Sequence, residues 1–173
     1  MDLLVTCARH FEEETKNELK SILQGLGDPD PHITITEYSG ILTVDTVISP
    51  LDVIKKIRDK LEDEPWSIRY TLRVIPVFAT VATDAKSIAS AALGQTQKMG
   101  PDETYRITIE KRNSEISSSE IISQIADNVK NKVSLKEHDW VILVEVLGAA
   151  TGVSVLRGND ILSVQKTKRH SAD

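Results

Sequence analysis

The residues of this chain with the clearest chemistry are a set of cations. Lys111 and Arg112 are consecutive and close an alternating run, residues 104–111, in which Arg106 supplies a third positive charge. Lys166, Lys168 and Arg169 crowd the C-terminus, and Arg69 and Arg73 share one extended stretch. Such residues recognise anions. A guanidinium forks two phosphate oxygens, and each phosphate neutralised adds a salt-dependent increment to affinity. At the end of a strand a long cation projects past the sheet edge into solvent, which is where Lys111 and Arg112 are expected. Arg69 and Arg73 either line the side of the first sheet that faces the second domain or pair with the acidic N-terminal half.

The patterns required for catalysis are missing. His10, His32, His138 and His170 stand singly, with no Cys or His at ligand spacing, so no metal site is expected. Gly152-Val153-Ser154 begins like a nucleophile elbow, but the closing glycine is absent and the segment continues as a strand. Ser154 therefore reads as a strand serine and not a nucleophile. Residues 94–100, GQTQKMG, lack the Gly-Lys-Ser/Thr of a phosphate cradle, and no G-x-G-x-x-G occurs. Cys7 sits in an apolar run and reads as a small core residue. Glu12, Glu13 and Glu14 fall in a helix's first turn, where negative charge favours the dipole. Neither an enzyme site nor a cofactor is expected. An RNA-recognition motif is excluded too, because Tyr70 and Phe78 fall in a last strand, Tyr38 at a turn, and the K/R-G-F/Y-G/A-F pattern is absent.

A hydrophobic content of 40% and a charged content of 27% over 173 residues fit a folded soluble protein of one large or two small domains. No run approaches the roughly 18 apolar residues of a membrane span, and the N-terminus lacks the basic start of a signal peptide. A single cysteine fits a reducing compartment, so a cytoplasmic location is expected. The net charge of −5 argues at first against nucleic acid, but it is unevenly spread. Residues 1–80 carry 9 Lys and Arg against 14 Asp and Glu, whereas residues 81–173 carry 12 of each. Patches, not totals, set the local potential.

The elements that must position these cations centre on residues 140–156, WVILVEVLGAATGVSVL. Two short Val/Ile/Leu runs around Gly148-Ala149-Ala150-Thr151 predict adjacent buried strands at the middle of a sheet, with Glu145 their only charge. Before them, residues 1–80 predict a strand at 3–7, a helix at 10–26 bearing Phe11, Leu19, Ile22, Leu23 and Leu26, and a hairpin at 33–47. A helix after Ser49-Pro50, with Leu51, Ile54, Ile57 and Leu61 on its face, leads into a long extended run at 68–80, with Ile68, Tyr70, Leu72 and Val74 expected on one face and Arg69, Thr71 and Arg73 on the other. The β-α-β-β-α-β order is ferredoxin-like. Residues 81–173 predict an Asp84-capped helix at 85–97, the strand at 104–111, and a helix entered through Ser117 and Glu120, spaced as a capping box, and running to Val129. The central strand pair, a strand at 161–165 and the basic tail complete the chain. The fold class is α/β (α+β): a ferredoxin-like domain at 1–80 and a second α/β domain with a mixed sheet at 81–173.

The ordered motifs Arg69-Tyr-Thr-Leu-Arg73-Val-Ile-Pro76-Val77 before an Ala-rich helix, Tyr105-Arg-Ile-Thr-Ile-Glu-Lys111-Arg112-Asn113, a Ser/Glu/Ile helix, Val144-Glu-Val-Leu-Gly148 and Gly152-Val-Ser154-Val-Leu156 resemble the THUMP domain of tRNA-modifying proteins with its ferredoxin-like partner. The resemblance spans essentially the whole chain. It implies a tRNA-binding module that grips the acceptor stem and 3′ end. No fused catalytic domain is expected after the last strand, so the resemblance implies a non-catalytic adaptor of the cytidine-acetylation type, working with a separate tRNA acetyltransferase or another modification enzyme. Arg106, Lys111, Arg112, Lys166, Lys168 and Arg169, with Arg69 and Arg73, are the expected RNA contacts. RNA is expected mainly at residues 81–173, with the acidic N-terminal half as a spacer or protein-docking face. The alternative is a protein–protein interaction or regulatory module in which the basic residues are incidental.

Overall fold

The computed structural model describes residues 1–172, with side chains described to His170. In chain order the elements are β1 (Leu3–Cys7), α1 (Glu12–Gly25), β2 (His32–Ile35), β3 (Ile41–Asp45), α2 (Pro50–Asp63), β4 (Thr71–Pro76), β5 (Ala79–Ala82) and α3 (Ala85–Leu93). They continue as β6 (Tyr105–Arg112), α4 (Ser118–Ala126), β7 (Trp140–Leu147), β8 (Ala150–Leu156), β9 (Leu162–Ser163) and α5 (Val164–Ala172). They form two units, one of Met1–Pro76 joined by the C-terminal segment from Asp160, the other of Val77–Asn159.

The first unit has one antiparallel sheet in the order β2-β3-β1-β4-β9, the ferredoxin-like arrangement with an extra edge strand. Alternation on the strands puts Leu3, Val5, Cys7, Leu42, Val44 and Val74 on one face, where they pack with Leu19 and Leu23 of α1 and Val53, Ile57 and Leu61 of α2. Two helical faces differ from the periodicity. In α2 the buried stripe is Val53, Ile54, Ile57 and Leu61, while Leu51 is largely exposed. Phe11 precedes α1 and is also exposed; Thr15 takes the first buried position.

The long extended run at 68–80 is two strands belonging to different sheets. β4 pairs with β1 and β9, and β5 pairs with β8. The register shifts between Thr6 and Cys7, whose partners are Arg73 and Thr71, so Leu72 is an extra residue that reverses the alternation. Thr71 is therefore buried and Tyr70 only partly so. The break between units falls at Pro76/Val77 and not near residues 80–84, and the chain returns to the first unit at Asp160. The segment at 161–165 is a two-residue strand followed by a helix, because Leu162 and Val164 enter the first core and the basic tail continues as α5.

The second unit has a mixed sheet in the order β5-β8-β7-β6, in which β6 and β7 run parallel and the other pairs antiparallel. A parallel pair needs a crossover, and α4 supplies it between β6 and β7. Tyr105, Ile142, Val144, Val146, Val153 and Val155 face Ile88, Ala89 and Ala92 of α3 and Ile121 and Ile125 of α4. The opposite face of β7 is buried as well, at Val141, Leu143 and Glu145, which explains why this strand reads as nearly continuous hydrophobic sequence. Asp84 caps α3 by accepting from Ser87 N at 2.7 Å, and Ser117 caps α4 by accepting from Glu120 N at 3.2 Å. Where β5 stops at Ala79, two side chains serve the edge of β8. Gln95 accepts from Val155 N through Oε1 at 3.0 Å and donates through Nε2 to Val153 O at 3.0 Å, and Lys98 Nζ donates to Val155 O at 3.3 Å.

Candidate nucleic-acid interface

β6 is the edge strand of the mixed sheet, and strand alternation sends its cations to both faces. Arg106 and Arg112 point to one face and Lys111 to the other. Arg106 is exposed, and its Nη1 donates to Leu135 O at 3.2 Å. Lys111 is exposed, with Nζ donating to Ile116 O at 3.0 Å. Their α-carbons lie roughly 16 Å apart along the strand. Both contacts are single bonds to backbone carbonyls at the surface, so either head group can exchange its partner for a phosphate oxygen.

Arg112 is held differently. Its Nη1 lies 2.6 Å from Glu145 Oε2, and the two side chains are 24% and 4% exposed. Glu145 occupies the middle of β7, and the parallel register that sets Glu110 beside it places Arg112 two residues further on the same face. Arg112 therefore neutralises a buried carboxylate. Its backbone is fixed too, for Arg112 O accepts from Gly148 N at 2.8 Å, tying the end of β6 to the β7–β8 turn. The sequence marks Glu145 as the single charge in the central strand pair, but its partner becomes identifiable only when the strand register is known.

The other five expected contacts lie in the first unit. Lys166, Lys168 and Arg169 are on α5, and Arg69 and Arg73 are at and just before β4. Lys168 is partly buried, with Nζ donating to Ile68 O at 2.5 Å, which sets it beside Arg69. Arg73 stands opposite Ser163 of β9 and opposite Thr6, on the sheet face away from the helices. Among the described residues neither Arg69 nor Arg73 forms an ion pair with the acidic N-terminal half. Arg69 instead lies over the Tyr70 ring, 5.9 Å from its centroid. The tail's return leaves the first unit with 12 Lys and Arg against 16 Asp and Glu, and the second with 9 against 10. Neither unit is basic in total, so any phosphate site is a local patch.

Two features lie outside the sequence reading. Asn131 Nδ2 donates to Gly100 O at 2.7 Å and to Glu103 O at 2.8 Å, and its neighbours Lys130 and Lys132 line a cleft with Pro101 and Asp102. Glu103 joins three groups: Oε1 accepts from Trp140 Nε1 at 3.0 Å and Gly100 N at 2.8 Å, and Oε2 meets Arg157 Nη2 at 3.0 Å. The Trp140 indole N–H, then the Gly100 N–H, hold the Glu103 carboxyl below its usual range. Two residues considered for nucleophilic chemistry are occupied or unreactive. Ser154 is buried and its Oγ accepts from Phe78 N at 3.1 Å, while burial pushes the Cys7 thiol up and away from the thiolate. Among the described residues no group of His, Cys, Asp and Glu could hold a metal, and no helix is long and apolar enough to cross a membrane.

Residues 82–156 match the sequence model of the THUMP domain. The chain carries a THUMP domain. The match covers α3 through β8, which is the unit bearing Arg106, Lys111 and Arg112. No curated protein sequence matches the chain. Among solved structures, PH1313 from Pyrococcus horikoshii Ot3 superposes with a TM-score of 0.69 at 17% identity, over 91% of this chain and 55% of that one. TrmN from Thermus thermophilus does so with 0.59 at 11% identity, over 90% and 45%. A 4-thiouridine synthetase in complex with RNA and ATP gives 0.53 at 14% identity, over 94% and 42%. These likenesses show a shared fold around the THUMP domain, and this chain spans about half the length of those proteins.

Proposed function

We propose that this chain binds tRNA through its THUMP domain and presents it to a separate modification enzyme, without catalysing a reaction itself. The observation that carries the reading is the THUMP domain at residues 82–156, with exposed Arg106 and Lys111 on its edge strand. The fold shared with a 4-thiouridine synthetase solved with RNA supports an RNA partner. Support for a non-catalytic role comes from Ser154 and Cys7, both buried in their strands. The acceptor stem and 3′ end are the proposed tRNA elements, and a cytidine acetyltransferase is the proposed enzyme, both on the family resemblance. Arg106 and Lys111 contact phosphates. Arg112 acts by holding the end of β6 against Glu145.

Binding of whole tRNA, and of tRNA lacking its 3′ single strand, titrated at low and moderate salt, tests this. The two phosphate contacts predict about a 12-fold loss of affinity between roughly 50 and 200 mM salt. Lys111→Ala should weaken every tRNA alike and flatten the logarithmic salt slope by about 1. Affinity that is absent, or indifferent to salt, would refute the proposal. One observation favours a second reading as a protein-docking module: Val133 and Leu135, 54% and 66% exposed, lie beside the start of β6. That reading predicts little affinity for tRNA at any ionic strength.

A further inference from the structure

Phe11 has the spacing of a buried helix residue, yet its side chain is 44% exposed. Its ring stacks on Tyr70, from 59 residues further along the chain, with centroids 5.6 Å apart and planes inclined by 26°. With Ala8, Arg69 and Leu72 the two rings line a cleft of about 210 Å³ in the first unit. The backbone beneath is firmly held. Glu18 accepts from Arg69 N at 2.5 Å, from Tyr70 N at 3.2 Å, and from Thr71 N and Oγ, both at 2.8 Å. This fixes the strand entering the bulge of β4 and leaves the Tyr70 ring and the Arg69 guanidinium on the surface. Lys168, bonded to Ile68 O, adds a second cation beside Arg69.

We propose that this cleft is a stacking platform for one unpaired RNA base, which lies on the Phe11 ring while Arg69 holds an adjoining phosphate. The proposal rests on the tRNA-binding reading and gives the first unit a direct part in it, in place of a spacer role. Stacked rings with an adjacent guanidinium suit a planar, electron-rich partner joined to an anion, and a nucleotide combines both. Two nearby carboxylates are engaged in hydrogen bonds, Glu18 by the four donors above and Glu12 by Gly40 N at 3.0 Å, while Glu13 and Glu14 follow Phe11 in the first turn of α1. The platform was hidden from the sequence because Phe11 and Tyr70 meet only through the β1–β4 pairing and the bulge at Leu72.

The test titrates the full chain with whole tRNA and with a short single-stranded oligonucleotide carrying one 2-aminopurine, reading affinity and quenching of that base. Stacking predicts strong quenching by the wild type. Phe11→Ala should lower affinity by about 5- to 150-fold and restore the fluorescence. Phe11→Trp should keep both properties, whereas Phe11→Leu, which keeps apolar bulk without a π-face, should behave like the alanine variant. Wild-type tRNA affinity in Phe11→Ala would overturn the platform and leave the tRNA reading standing. Full affinity and unaltered signal in Phe11→Leu would mark a plain apolar contact, as for a protein side chain, and would also overturn it. No binding of tRNA by the wild type would overturn both readings.

Discussion

Replacing Arg112 by methionine tests whether this residue acts on RNA or on the fold. The side chain keeps much of its length but loses the charge that sits 2.6 Å from Glu145 Oε2. Glu145 is 4% exposed, so its carboxylate would lose its cation where little solvent can replace it. Breaking a buried pair by removing one partner costs about 3–5 kcal/mol. Because Arg112 is itself 24% exposed, some water can reach the gap, and the low end of that range, about 3 kcal/mol, is expected. For a chain of this length that corresponds to a fall in Tm of roughly 6–12 °C. The double variant Arg112→Met, Glu145→Leu removes both charges together and should recover most of the loss, since an apolar pair of similar volume tolerates the site. Urea unfolding of the wild type, both single variants and the double variant completes a mutant cycle with an expected coupling of at least about 2 kcal/mol. A cost below about 1 kcal/mol for Arg112→Met, with no coupling, would refute the structural role. If that variant also lost tRNA affinity, Arg112 would be a direct RNA contact.

Further outcomes follow from individual contacts. Gln95→Ala removes the acceptor for Val155 N and the donor to Val153 O at the edge of β8; a loss of about 1–3 kcal/mol is expected, with faster hydrogen exchange at the Val155 amide as the local readout. At Gly40, with φ +74°, an added Cβ would sit 2.6 Å from Cys7 O. Gly40→Ala should therefore cost about 2 kcal/mol or more in chemical denaturation, even though alanine is the gentlest replacement. Acid should weaken the fold in a defined direction. The Thr46 hydroxyl holds Asp28, and the Ser87 N–H holds Asp84, below the ordinary aspartate value of 3.8. Their stabilisation is complete above that value and is lost as pH falls through the lower folded values. The urea midpoint should drop below about pH 4, and less steeply in an Asp28→Asn, Asp84→Asn variant.

Much of this architecture is written locally, and the sequence by itself determined it. Alternation at Leu3, Val5 and Cys7, the capping residues Asp84 and Ser117, and the apolar runs around Gly148 specify strands, helix starts and the central pair of the mixed sheet. They do so because side-chain period and backbone capping act over a few residues. The ordered motifs between Asp84 and Leu156 likewise pointed to the domain whose model matches residues 82–156. Only the tertiary structure decided where the cations act. One bulged residue at Leu72 reversed the alternation of β4, and the division of residues 68–80 between two sheets moved the boundary between units. The burial of Leu162 and Val164 in the first core carried Lys166, Lys168 and Arg169 into the first unit. Parallel register turned Arg112 toward Glu145, and the β1–β4 pairing brought Phe11 onto Tyr70. Each of these outcomes depends on residues tens of positions apart in the chain, where local periodicity carries no information and only packing and register choose the partner.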